Sequence, residues 1–223
     1  MIDTIKQGFK TNNGVFEICW GLKKVTSRNW VYLFFTTLII GAVSTIFVGF
    51  AVEWSKYSVF FATFNIVEIL SIAIWFIGVG FIFSLISQAG YFAYLTVHRF
   101  GLGMFKSLWG PVQIVLTVFI LFDFIYLRYT TFAKEGDALL PYVIPAVLIL
   151  IYGLIVAYYK VKQTNQSAFI PALFFISAIT IIEWVPALRA NERDWLLLMI
   201  FPLIICNTWQ LFILHKLNQK SKK

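Results

Sequence analysis

Three carboxylic acids, Glu68, Asp123 and Glu183, stand inside or at the rim of long apolar runs. A carboxylate surrounded by hydrocarbon is costly unless it has a partner, a wet cavity or a proton. Two readings fit such acids. One is an outward-facing polar pocket that senses protons or a small ligand. The other is a set of register-fixing pairs, with Asp123 near Arg128 and Glu183 near Arg189, or with amides. Ser177, Thr180 and Glu183 recur every three residues, which on a regular helix places them on one face.

A second polar group lies in "SQAGYFAYLTVHRFGLGMFKS", residues 87–107. Ser84, Ser87, Gln88, Tyr91 and His98 fall at i, i+3, i+4, i+7 and i+14, one face of a long helix. Asn207 and Gln210, three residues apart near the C-terminus, are spaced to hydrogen-bond across to that face. His98 has no second histidine or cysteine at ligand spacing, and His215 stands near the tail, so no metal site is expected. As a general base or phosphoacceptor, His98 lacks a carboxylate nearby in sequence. Gly101 and Gly103 form a lone G-x-G with no preceding strand, which reads as a tight turn before Lys106 and not as a phosphate cradle. Signatures of serine hydrolases, zinc proteases, P-loop enzymes and kinases are absent from the sequence. No cofactor and no catalytic residue are expected.

The elements that position these groups are apolar helices. Of 223 residues, 60% are hydrophobic and 13% charged, and mean hydropathy is +0.83. A soluble domain carries about 25% charged residues, so the composition is that of an integral membrane protein. Six stretches are long enough to cross a bilayer core about 30 Å thick: Trp30–Phe50, Ile69–Tyr91, Pro111–Leu127, Pro141–Tyr159, Phe169–Leu188 and Trp195–Leu214. The fold class expected is all-α, a polytopic bundle of six transmembrane helices. Trp30, Trp54, Trp109, Trp184 and Trp195 fall at span boundaries, where indole rings favour the interface. Thirteen of the eighteen Lys and Arg residues fall on the side of the two termini, so the positive-inside rule puts both termini in the cytoplasm. The net charge of +8 is then mainly a topological signal, with the basic tail also suited to anionic membrane lipid; no folded basic patch for nucleic acid is evident. Cys19 and Cys206 cannot build a disulfide framework.

Residues 1–28 read as a cytoplasmic tail, mildly amphipathic and suited to the membrane surface; an over-long translation start is the alternative. The bundle is expected over 29–215 and a basic cytoplasmic tail over 216–223. On this topology His98, Arg99, Lys106, Lys160 and Lys162 belong to cytoplasmic connectors, the surface open to a cytoplasmic partner. No internal repeat supports the inverted halves of a transporter. A small-solute or proton-coupled transporter or channel using the outer-half acids is nevertheless the competing function.

The strings "GYFAYLTVHRFGLGMFKSLWGPVQIVLTVFILFDFIYLRY" and "NQSAFIPALFFISAITIIEWVPALR" resemble the KinB-signalling pathway activation family, the KbaA-type proteins of spore-forming Bacillus relatives. The likeness runs from about Trp30 to Leu214. It implies a non-enzymatic membrane regulator in sporulation, needed for the sensor histidine kinase KinB to feed the phosphorelay. It carries over no set of catalytic residues. A membrane sensor histidine kinase is therefore the expected partner, met by loop or helix contact; the oligomeric state stays open.

Overall fold

Apolar runs without interior breaks form helices here because every backbone polar group is then satisfied within its own segment. The computed structural model describes residues 27–134, 136–190 and 192–220. It is 93% helix, and no strand occurs among the described residues. The elements are α1 Ser27–Val52, the short α2 Trp54–Ala62, α3 Ile66–Phe105, α4 Trp109–Phe132, α5 Leu140–Gln163, α6 Phe169–Phe174, α7 Thr180–Ala190 and α8 Arg193–Lys220. A π-helical segment, Phe175–Ile179, joins α6 to α7. The six expected stretches fall within these helices, but as five continuous runs, because Ile66–Phe132 is one run of 67 residues. At about 1.5 Å per residue that run would be roughly 100 Å long if straight. It is not straight. Lys106 caps α3 with φ 49° and ψ −117°, and a 3-10 turn over Lys106–Leu108 follows. His98 on α3 then meets Trp109 and Gln113 on α4, so the chain doubles back at this point.

This moves the expected turn. Gly101 and Gly103 lie inside α3 and not in a loop. Gly101 is buried beneath Trp109, where a Cβ would overlap the indole. The reversal falls on Lys106, a residue whose backbone there costs about 1–3 kcal/mol relative to a relaxed conformation. Trp109 and Trp184 are likewise packed inside, only 4% exposed each, and do not act as interfacial anchors. Pro202 stands well inside α8, which starts at Arg193 and runs on to Lys220. The N-terminal expectations, Cys19 included, lie outside the described residues.

Small residues set the tightest packing. Gly41, Ala42 and Thr45 of α1 face Gly80 and Ser84 of α3, and a Cβ on either glycine would collide with the other helix. Small side chains let backbones approach where lipid offers no hydrophobic drive between helices. The outer faces of α1, α3 and α4 remain apolar and exposed, for example Ile39, Phe47, Trp75, Val118 and Phe119. Gln166–Leu188 is the innermost run: 67% of its apolar stretch is buried, against 28% for α1. α1, α3 and α8 pack on one another, and α5 packs on the α6–α7 segment.

Candidate functional site

The polar face of α3 meets α1, α7 and α8 at the centre of the bundle. Ser84 Oγ donates to Gly80 O at 2.7 Å and lies 3.3 Å from Thr37 O of α1. One turn on, Ser87 Oγ donates to Asn207 Oδ1 at 2.7 Å and accepts from Gln210 Nε2 at 2.5 Å. Asn207 Nδ2 donates to Thr180 Oγ1 at 2.9 Å and to Glu183 Oε2 at 2.6 Å. A single amide thus ties three helices: α3, α7 and α8. Ser87, Thr180, Asn207 and Gln210 are fully buried and Glu183 is 6% exposed. Gly90, three residues after Ser87 on the same face, makes room for the carboxyl group; a Cβ there would overlap Glu183 Oε1.

The network is only partly satisfied. Among the described residues Glu183 Oε1, Gln210 Oε1, Gln88 Nε2, Tyr91 Oη and Ser177 Oγ are buried with no hydrogen-bond partner. Buried polar atoms are nearly always paired, so these atoms mark where an internal water or a carboxyl proton would complete the network. The π-helical segment lies directly before Thr180, and such insertions often mark functional positions. It also breaks the three-residue spacing expected for this helix. Ser177 turns toward Gly153 of α5, while Thr180 and Glu183 turn toward Asn207.

The other two acids do not join Glu183. Glu68 is exposed in the first turn of α3, where its backbone N–H donates to the Asn65 side chain at 3.4 Å. Asp123 is half-buried on α4. Among the described residues no group of three or more His, Cys, Asp or Glu side chains comes together. The side chain of Arg189, one expected partner of Glu183, lies outside those described; an amide, the other expected kind of partner, is supplied by Asn207.

At the α3–α4 reversal, His98 is 3% exposed. The Trp109 indole N–H donates to His98 Nδ1 at 3.0 Å, which assigns the acceptor role to that nitrogen. Gln113 Nε2 lies 3.4 Å from the same atom, and the Tyr94 ring is 5.6 Å away. His98 is therefore a tie between helices and not part of an open contact surface. Lys160 is corrected in the same way. It is 6% exposed, its Nζ donates to Leu211 O at 2.6 Å, and it lies over the Phe212 ring. Its helix turns that position toward α8, so the ammonium caps a carbonyl there instead of reaching water. Arg99, Lys106 and Lys162 are exposed. Arg99 lines a groove of about 680 Å³ with Trp30, Phe92, Phe100 and Met104.

Spacing alone had linked Asn207 and Gln210 to the Ser87 face. An amide partner for Glu183 is among the expectations, but spacing does not single out Asn207, because the two residues lie on different helices. The one visible signal was an amide in the middle of an apolar run.

Comparison with known proteins bears on this arrangement. Residues 41–217 match the family described as "KinB-signalling pathway activation in sporulation". The "KinB-signaling pathway activation protein" of Bacillus subtilis is 46% identical over 196 residues, which is 87% of this chain and 99% of that protein. No solved structure matches. A match over most of the membrane-length helices, with close to half the positions identical, is more than shared hydrophobicity produces: the chain belongs to the KinB-signalling pathway activation family.

Proposed function

We propose that this protein is an integral membrane regulator that promotes activation of a KinB-type sensor histidine kinase feeding the sporulation phosphorelay. The observation that carries this reading is the 46% identity with a protein named for KinB-signaling pathway activation, extending over 99% of that protein. The chain crosses the membrane six times, since the reversal at Lys106 gives the 67-residue run two limbs, each long enough to span. Six crossings bring the two ends to one side, and the excess of Lys and Arg at those ends supports the cytoplasm as that side. The protein works by contact and not by bond-making. Exposed Arg99, Lys106 and Lys162 face a cytoplasmic kinase domain, and the apolar outer faces of α1 and α4 meet the kinase's own spans. Contact with either biases a two-state kinase toward its active state.

The test is co-purification of the kinase with the full chain from membranes. Recovery of the kinase with wild-type protein, lost on reversing Arg99, Lys106 and Lys162 together at unchanged protein level, is expected. Kinase recovery that ignores both the chain and the substitutions would overturn contact as the mechanism.

A further inference from the structure

Two polar ties hold α5 to α8. Tyr152 Oη and Thr208 Oγ1 lie 2.9 Å apart, and Lys160 Nζ reaches Leu211 O at 2.6 Å. Toward the Leu140 end of α5 and the Arg193 end of α8, a groove of about 820 Å³ separates the two helices. Its floor is buried and apolar: Ile149, Trp184, Leu196 and Ile200 are each under a tenth exposed. Its rim is exposed and apolar, with Leu148 at 60% and Phe201 at 47%. The wall from Pro141 to Tyr152 rises about 16 Å along α5 at the usual helical rise.

The mouth differs in kind. Arg128 from α4 and Arg193 from α8 line the groove, the two charged side chains among its described lining residues. Arg128 is held in place by the faces of Phe124 and Tyr142, at 5.7 and 5.8 Å from the ring centroids. An arginine fixed by aromatic rings has lost freedom before any ligand arrives, so less is lost on binding. Guanidinium groups match phosphate oxygens in a planar, two-point geometry. An apolar slot that ends in two such groups has the form of an acyl chain joined to an anionic headgroup.

We propose that this groove is a binding site for an anionic phospholipid. One acyl chain lies along α5 and α8, and the phosphate sits between Arg128 and Arg193. The lipid fills the gap that the two polar ties leave open and so sets the spread of α5 from α8. On the topology above the site opens to the outer leaflet. The inference rests on the membrane-spanning reading but not on any kinase.

The experiment uses the full chain purified in detergent, exposed to equal amounts of phosphatidylglycerol and phosphatidylcholine, with retained lipid counted by native mass spectrometry. Wild type should retain phosphatidylglycerol about tenfold over phosphatidylcholine, the size expected for one good charge-assisted contact. Arg193→Gln, at an exposed position, should bring that ratio near one. Leu148→Trp, on the rim, should reduce retention of both lipids. Equal retention of the two lipids by wild type, or an unchanged ratio in Arg193→Gln, overturns the site. Recovery of the chain in the soluble fraction without detergent would instead overturn the membrane reading, and a normal lipid ratio with no kinase contact would leave this site intact.

Discussion

Asn207 on α8 donates its side-chain amide to Glu183 on α7 at 2.6 Å, and the same residue accepts from Ser87 on α3 at 2.7 Å. The carboxyl group therefore acts as an anchor in the helix bundle. Replacing Glu183 with Gln keeps an acceptor for the amide, while Ala removes it and leaves a buried N–H donor unpaired. Loss of a partner of this kind costs about 1–3 kcal/mol, whereas a hydrogen bond between membrane helices contributes only about 0.6 on average. Thermal unfolding in detergent should show Glu183→Ala clearly less stable than Glu183→Gln. Equal melting of the two variants would mean that the amide does not depend on Glu183.

Gly90 and Glu183 compete for one volume. A Cβ at position 90 overlaps the carboxyl oxygen. Gly90→Ala should therefore destabilise the protein, by about 1–3 kcal/mol as for other overpacked sites. In the Glu183→Ala background the penalty should shrink, since the clashing group is gone. A double-mutant cycle measures this, and strictly additive effects would contradict the contact.

Lys160 and Lys162 are two residues apart, yet they serve different ends. Lys160→Ala removes the side-chain donor that the Leu211 carbonyl accepts beside its own helical bond and should lower stability by about 1 kcal/mol. Lys162→Ala, at an exposed site, should change stability by less than about 0.5 kcal/mol while weakening kinase activation. The comparison is protein level in membranes against sporulation output. A variant of Lys162 that loses protein level as Lys160 does would contradict this division.

Lys106 carries a positive φ that only glycine adopts freely. Lys106→Gly relieves that backbone and should raise stability by about 1 kcal/mol, while Lys106→Gln keeps the strain and removes the charge. If the charge matters to the kinase, both variants lose output although only one gains stability. A melting temperature that falls in Lys106→Gly would contradict the strained reversal.

The helical class and the limits of most apolar runs were legible because a bilayer-length run has few alternative structures. The Ser84–Tyr91 stripe was legible for a related reason: hydroxyls and amides in an apolar helix stand out and seek one another. Three features were hidden. The π-helical segment changes which residues share a face, and no residue type in "FISAI" announces it. The burial of His98 and Lys160 depends on how α3 folds back on α4 and how α5 meets α8, relations between distant segments. The role of Gly90 and Gly101 as seats for Glu183 and Trp109 likewise needs both partners in view, since a lone glycine in a helix also reads as a turn.

If this chain promotes signalling through a KinB-type kinase, phosphorelay output depends on it, and the decisive measurement is that output in a strain carrying a clean deletion of the chain. Output and sporulation should fall, and both should recover when phosphate enters the relay from a different kinase. Unchanged output in the deletion strain, or a defect that the second kinase does not restore, would contradict that role.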